Sequence, residues 1–238
     1  MDNEQALTGR ARSRVREDYP FPELNPYVEA HRALPNVVRA DDAPGWKGRW
    51  ETLFGNDRPL HLEVGSGNGF YLSGMAAAHP ECNWLGLEIR FKRVVLAATK
   101  LERAGLQNGR VTRWDAFRLD DLFEPGSLAG IHVNHPDPWP KRKQTWRRLI
   151  ARPFAETAAR ILAPGGELRL KTDFPPHVAA LREAVEGLPL TVVGSSDDIR
   201  AAGAPWPDEI TTNYQRKFNE RGVSVLGIWL RRDGGGPC

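Results

Sequence analysis

From residue 59 to residue 230 the sequence alternates between strand-type and helix-type segments. Short apolar runs are separated by stretches whose apolar residues recur at helical spacing. The predicted strands are Pro59–Val64, Asn83–Glu88, Arg110–Asp115, Ala129–Asn134, Glu167–Thr172, Leu190–Gly194 and Val223–Leu230. This alternation predicts an α/β fold with a doubly wound, mainly parallel seven-stranded sheet and helices on both faces. Ligands of such sheets bind beyond the carboxyl ends of the strands.

The segments between these strands contain the predicted helices. Gly69–His79 and Pro176–Gly187 are two of them, and a third has apolar residues at helical spacing from Phe91 and ends at Gly105. A fourth helix, around Phe154, is expected to stop at Pro164-Gly165-Gly166.

The 238 residues are enough for one large domain, which we predict over residues 46–232. Residues 1–45 are basic and rich in proline, which blocks long helices. We expect them to form an extended N-terminal arm that either packs on the domain or orders on a partner. Residues 233–238 are expected to be a flexible tail.

Several features of the sequence bear on the compartment. No apolar run approaches the roughly 20 residues of a membrane span, and the N-terminus lacks a secretory apolar segment. The two cysteines, Cys82 and Cys238, have no metal-ligand spacing around them. We therefore predict a cytoplasmic protein with no membrane association and no metal site, and we expect the histidines to be structural or solvent-facing.

The cations are clustered, although the formal net charge is only +3. One cluster alternates from Arg10 to Arg16, and a second runs from Lys141 to Arg152, with no acid in either. A basic cluster is often only a solvated surface, but two of them in one chain favour a polyanion such as nucleic acid.

The first strand runs into a glycine-rich turn, Glu63-Val64-Gly65-Ser66-Gly67-Asn68-Gly69. Gly65 and Gly67 permit a tight turn and a close approach of the backbone to a ligand. A dinucleotide would bind a similar turn through its pyrophosphate, but the Glu63 carboxylate would repel phosphate. A cofactor with an ammonium group and a sulfonium suits this carboxylate better, which favours a methyl donor.

Two more acids end the next two strands. Glu88 is placed to bind both ribose hydroxyls of a nucleoside cofactor, and Asp115, followed by Ala116, is placed to reach an adenine edge. A single such acid would be read as a surface or capping residue. Three acids around one glycine loop favour a methyltransferase that uses S-adenosylmethionine over a dinucleotide enzyme.

The loop after the fourth strand reads Asn134-His135-Pro136-Asp137-Pro138-Trp139-Pro140, followed by the second basic cluster. Prolines at alternate positions stiffen it, so that Asp137 and Trp139 are presented from a rigid backbone. A rigid acid beside an aromatic ring and a basic run suits a nucleobase on a phosphate chain. The alternative is that Trp139 packs into the core.

These segments together resemble one family. The loop is similar to the PDPWPK signature of bacterial tRNA (guanine-N7)-methyltransferases. The resemblance also covers Trp46–Trp50, Phe54–Asp57, the Glu63 turn, Lys171-Thr172-Asp173 and Thr212–Phe218. It spans roughly residues 45 to 230 and implies a Rossmann-like class I methyltransferase.

The resemblance implies methylation of N7 of guanine 46 in the tRNA variable loop by an enzyme that is a monomer or a homodimer. The matching cofactor positions are Glu63, Glu88, Asp115 and Asp137, and Asp137 is also the implied catalytic residue. The matching substrate positions are Lys141, Asp173 and the segment Thr212-Asn213-Tyr214-Gln215. No strong general base is needed, because guanine N7 has a lone pair and no proton.

The chain departs from the family pattern at three positions. His135 replaces an apolar residue, Gln144 a common His, and Gln215 a common Glu. These departures leave substrate preference open. Two other readings remain, namely a methyltransferase for another nucleic-acid site or a small molecule, and a tRNA-binding protein that has lost transfer activity.

Overall fold

A computed structural model describes residues 25–234, and these residues form one sheet of eight strands. The strands are β1 (Val37–Val38), β2 (Leu60–Val64), β3 (Asn83–Glu88), β4 (Gly109–Arg113), β5 (Leu128–Asn134), β6 (Leu162–Thr172), β7 (Leu190–Ser196) and β8 (Leu226–Arg232). Their order across the sheet is β1-β4-β3-β2-β5-β6-β8-β7. All pairings from β1 to β6 are parallel, and β8 runs antiparallel to both of its neighbours.

The helices of the described residues lie between these strands. They are α1 (Pro26–Ala33), α2 (Trp50–Phe54), α3 (Phe70–Ala78), α4 (Phe91–Arg103), α5 (Arg152–Ile161), α6 (Pro175–Ala184), α7 (Ile199–Ala202) and α8 (Asn213–Glu220). Three short 3₁₀ helices cover Ala43–Trp46, Ala116–Asp121 and Arg142–Arg147. None of the helices in residues 25–234 is long and apolar enough to cross a membrane.

The order of the strands reverses at β2, which pairs with β3 on one side and with β5 on the other. Loops that leave the carboxyl ends of β2 and β5 therefore turn to opposite faces and leave a crevice between them. Glu63 lies opposite His132 across this junction, and Val64 lies opposite Val133. The junction thus puts the glycine turn and the proline-rich loop on either side of one crevice.

The α/β fold is confirmed, but the prediction of seven strands was wrong. The additional strand is β1, two residues that pair in parallel with Val111 and Thr112 of β4. The predicted arm also differs within its described part, residues 25–45. Pro26 stands in the first turn of α1, where proline is tolerated, and Val28 and His31 are buried. This part packs on the domain as a helix and a strand, while Arg10–Arg16 lie outside the described residues.

The segment Pro164-Gly165-Gly166 does not lie between a helix and a strand as expected, because it lies inside β6. Leu162 already pairs with Leu128, and Glu167 pairs with Gly130, so the extra residues bulge out of the strand. Gly165 has a φ of +79°, a backbone conformation that glycine adopts at little cost. Helix α5 therefore ends at Ile161, because the next residue, Leu162, already pairs with β5 in the sheet.

A polar cluster lies under α3 on one face of the sheet. The imidazole of His132 is buried, with Nε2 3.1 Å from Nδ1 of His61 and Nδ1 2.9 Å from the Tyr71 hydroxyl. Burial lowers the pKa of His61 to about 4, so that its imidazole is neutral at physiological pH. A Glu167 carboxylate oxygen lies within 4.8 Å of both rings, but this carboxylate is already paired with Arg169 at 2.8 Å. The absence of a metal site stays a prediction.

Candidate active site

A cleft of about 600 Å³ lies beyond the carboxyl ends of β2, β3, β4 and β5. Its walls come from the glycine turn, the loop after β5, the 3₁₀ helix after Asp115 and the start of α8. The residues predicted from the sequence that line it are Glu63, Gly65, Gly67, Glu88, Asp115, Ala116, Asp137, Asp173, Thr212, Asn213 and Tyr214. The cleft lining does not include Lys141 or Gln215.

Glu63 is a buried carboxyl group at the floor of the cleft, with a residue exposure of 2%. Its Oε1 accepts a hydrogen bond of 3.0 Å from Nδ2 of Asn134, and its Oε2 is buried without a hydrogen-bond partner. Burial raises the pKa of Glu63 to about 8, because desolvation disfavours the charged form. A buried polar atom without a partner is costly, so this oxygen is available to a ligand, and it accepts from a donor once the carboxyl is ionised.

Glu88 ties the glycine turn to the end of β3. Its Oε2 accepts a 3.1 Å bond from the amide of Gly67, and its Oε1 accepts bonds from the amides of Ile89 and Arg90. A carboxylate offers roughly four acceptor sites, so capacity remains for a hydroxyl group. Gly65 and Gly67 have φ values of +75° and +54°, and a Cβ on Gly65 would meet nothing within 4 Å. The turn is therefore open towards the cleft.

Asp115 caps the 3₁₀ helix that follows β4, and its Oδ1 accepts a 3.0 Å bond from the amide of Phe117. Phe117 and Ile89 line the same part of the cleft and are 40% and 48% exposed. Neither residue was predicted from the sequence. Ile89 directly follows Glu88, and Phe117 lies two residues after Asp115. Their position just after a predicted cofactor-binding acid could have indicated that they line the cleft.

The loop after β5 carries unusual backbone geometry. His135 and Trp139 have φ values of +49° and +39°, a region that non-glycine residues rarely occupy. Between them, Asp137 is exposed and lines the cleft. Trp139 is half-buried rather than part of the core, and the Arg147 guanidinium lies 4.8 Å from its ring centroid. Backbone strain of this kind persists only where the surroundings hold it in place, and it is common at functional sites.

Asp173 follows the end of β6 and faces the same loop. Nδ1 of His135 lies 3.3 Å from its Oδ1, and its carboxylate is 31% exposed. The hydrogen bond from His135 lowers the pKa of Asp173, so that this carboxyl is ionised at physiological pH. The structure thus places two carboxylates, Asp137 and Asp173, on the side of the cleft formed by the loops after β5 and β6.

The segment Thr212–Gln215 begins helix α8. Thr212 and Gln215 form a capping box, in which the Thr212 hydroxyl accepts a 2.9 Å bond from the Gln215 amide. The Gln215 side chain is buried, and its Oε1 also accepts a 3.0 Å bond from Nζ of Lys171. Glu209 supplies the countercharge to Lys171 at 2.5 Å. Gln215 therefore anchors α8 to the sheet, and Tyr214 beside it is 48% exposed in the cleft wall.

The basic run begins outside the cleft, next to it, and Arg147 within the run lines the cleft. Lys141, Arg142 and Lys143 are exposed, and the 3₁₀ helix Arg142–Arg147 has no buried residue. The Arg147 guanidinium lies 4.9 Å from the Trp146 ring as well as over Trp139, and Trp146 is 46% exposed. Cations and aromatic rings thus form one continuous exposed surface at the mouth of the cleft.

Comparisons with known proteins agree with this geometry. A sequence profile of the family described as "Putative methyltransferase" matches residues 57–227. The chain is 38% identical to the tRNA (guanine-N(7)-)-methyltransferase of Listeria welshimeri, over 79% of this chain and 87% of the relative. It is 36% identical to the enzyme of the same name from Bacillus velezensis, over 82% of this chain and 91% of the relative.

Solved structures with a similar fold are also methyltransferases. The 16S rRNA methyltransferase KamB has a TM-score of 0.59 at 16% identity, covering 79% of this chain and 94% of that one. The antibiotic-resistance methyltransferase Kmr has a TM-score of 0.55 at 18% identity, covering 79% and 93%. At these identities the likeness concerns the fold alone.

Proposed function

The chain belongs to the tRNA (guanine-N7)-methyltransferase family, and we propose that it transfers a methyl group from S-adenosylmethionine to N7 of guanine 46 in the variable loop of tRNA. The observation that carries the proposal is the cleft at the junction of β2 and β5. Three acids at or just beyond the ends of β2, β3 and β4 line it, two further carboxylates line it from the loops after β5 and β6, and an exposed basic surface adjoins its mouth.

The acids at or just beyond the ends of β2, β3 and β4 fit the methyl donor. The unpartnered Oε2 of Glu63 suits the ammonium group of the donor, and the remaining acceptor site of Glu88 suits a ribose hydroxyl group. Asp115 and Ala116 would hold the adenine edge, with Ile89 and Phe117 as apolar neighbours. When bound there, S-adenosylmethionine supplies a methyl group on a positively charged sulfur.

The side of the cleft formed by the loops after β5 and β6, together with the adjoining basic surface, fits the target base and the tRNA backbone. Lys141 and Arg142 are exposed cations without an acid in the same run, which suits phosphates of a tRNA. Trp139 and the half-exposed Trp146 offer ring faces for unpaired bases. A methyltransferase for a small molecule would gain nothing from this surface, which is the reason to prefer an RNA substrate.

The residues of the cleft have to align the base and control its charge. Guanine N7 attacks through its lone pair, so no residue has to remove a proton beforehand. As the N7–carbon bond forms, the bond between that carbon and the donor sulfur breaks, so that the positive charge moves from the sulfur to the purine and S-adenosylhomocysteine is the leaving group. The exposed carboxylate of Asp137 is the group that we assign to stabilise the charge on the purine. The strained and proline-rich backbone on either side keeps Asp137 in place.

The test is a transfer assay with radiolabelled S-adenosylmethionine and an unmodified tRNA transcript that carries guanine at position 46. The label is then mapped by strand cleavage specific for N7-methylguanosine. We expect label at that guanine and none in a transcript with adenine at the position. Donor binding with no incorporation into any tRNA would overturn the proposal, in favour of another substrate or a binding role.

A further inference from the structure

His135 is held in a conformation that it would not adopt alone. Its φ of +49° is left-handed, and its side chain is only 4% exposed. Its amide donates a 2.7 Å bond to the carbonyl of Lys171 on the neighbouring strand. Its ring lies against helix α8, with centroids 6.1 Å from that of Tyr214 and 5.3 Å from that of Phe218. The surroundings therefore fix both the backbone and the ring of this residue.

The ring makes one polar contact from this position, between Nδ1 and Oδ1 of Asp173 at 3.3 Å. Since the Asp173 carboxyl is ionised, Nδ1 carries the hydrogen and donates it. The His135 ring is buried, whereas the carboxylate that it holds is 31% exposed and lines the cleft. The His135 side chain of this pair is therefore buried and fixed, whereas the Asp173 carboxylate is accessible to a ligand in the cleft.

We propose that His135 is a positioning residue, which holds the Asp173 carboxylate so that its two oxygens accept the N1–H and the 2-amino group of the target guanine. This inference rests on the proposed function and names the contact that would make it selective for guanine. The His135 side chain is buried, so the base meets the Asp173 carboxylate rather than the His135 ring.

The chemistry of the bases supports this role. Guanine presents two adjacent donors, N1–H and the 2-amino group, and a fixed carboxylate can accept both at once. At the corresponding positions adenine has the N1 lone pair and a C2–H group, so the same carboxylate would face a lone pair and find no second donor. Holding guanine by this edge leaves N7, on the opposite side of the base, free to face the methyl donor. A carboxylate that rotates freely would lose part of this selectivity, because its orientation would cost entropy.

Two variants separate the hydrogen bond from the ring packing. His135→Phe keeps a ring against Tyr214 and Phe218 but removes the donor. His135→Asn removes the ring but places an amide N–H near the position of Nδ1, and asparagine tolerates a positive φ. Thermal unfolding of both variants checks that they are folded. Asp173→Asn serves as the reference for complete loss of the carboxylate.

The readout is kcat/KM for a tRNA with guanine at the target position, divided by that for the same tRNA with inosine, which lacks only the 2-amino group. We expect the wild type to prefer guanine by about tenfold to a hundredfold, as for a lost hydrogen bond to a charged group. His135→Phe should lower the preference to a few-fold, near that of Asp173→Asn. His135→Asn should keep most of it.

Three results would overturn the inference. The first is an unchanged preference in His135→Phe, and the second is a preference in His135→Asn as low as that in His135→Phe. The third is equal turnover of guanine and inosine by the wild type, which would leave the proposed function standing. A wild type that methylates neither tRNA would instead overturn the proposed function and this inference with it.

Discussion

The buried carboxyl of Glu63 should make donor binding depend on pH. Its pKa is raised to about 8 by burial, so most of the ligand-free protein carries a proton there at pH 7. The ammonium group of a bound cofactor requires the ionised carboxylate, so binding releases this proton. The ionised fraction falls about tenfold for each pH unit below 8, and the affinity should fall in proportion.

The assay is isothermal titration with S-adenosylhomocysteine, which has the same amino-acid moiety. Between pH 6 and 7.5 that moiety stays cationic, because a free α-amino group titrates near 8. We expect the affinity to rise by about tenfold per pH unit across this window, with release of about one proton measured in buffers of different ionisation enthalpy. Glu63→Gln should bind more weakly, with no such slope. Glu88→Gln is the matched control, with weaker binding and an unchanged slope.

The same pKa predicts the stability of the ligand-free protein. An unfolded glutamate loses its proton near pH 4.5, whereas folded Glu63 keeps it until about pH 8, so the free energy of unfolding falls as the pH rises through this window. One pH unit corresponds to about 1.4 kcal/mol for each proton, so the loss is at most about 5 kcal/mol. Glu63→Gln should therefore be more stable than the wild type at pH 8 and similar at pH 5. A pH-independent affinity, or equal slopes in wild type and Glu63→Gln, would refute the reasoning.

Three further predictions concern the other parts of the site. Asp137→Asn should lower kcat by about a hundredfold while changing donor affinity by less than about threefold, since it removes charge that matters as the transition state forms; single-turnover kinetics measure this. Lys141→Ala and Arg142→Ala should each weaken tRNA binding and lower the slope of log affinity against log salt by about 1. Gly69→Ala should destabilise the fold by about 2–4 kcal/mol in denaturant titrations, because a Cβ there would lie 2.7 Å from the Cα of Ala97 at a φ of +73°.

Each of these predictions has an outcome that would contradict it. Near-normal turnover of Asp137→Asn would remove its catalytic assignment. An unchanged salt slope in the two cation variants would place the tRNA elsewhere. Gly65→Ala is the matched control for the glycine, because it has a similar φ of +75° but open space around the new Cβ. Equal destabilisation by both alanines would mean that packing against Ala97 contributes nothing.

The periodicity of the sequence was sufficient for most of the sheet but not for its edges. Strand β3 has the bounds that the pattern predicts, because an uncharged run, Trp84–Leu87, is bounded by the polar residues Asn83 and Glu88. Strand β1 has only two residues, too few for any period. Helix α8 has one buried residue, Gln215, and its apolar side consists of only two residues, Tyr214 and Phe218. It is held by a capping box and by Lys171, a partner 44 positions away in the sequence.

What the sequence determined by itself is which residues meet at the cleft, since acids at the carboxyl ends of adjacent parallel strands must gather at one edge. Glu63, Glu88 and Asp115 could be placed together for this reason alone. Only the tertiary structure decided what surrounds each of them. Side chains from distant segments bury Glu63 and so raise its pKa. They also pair His135 with Asp173 and hold the Gln215 side chain away from the cleft. The local sequence pattern predicts where a residue lies along its strand. Desolvation and hydrogen-bond partners are determined only when the helices pack against the sheet.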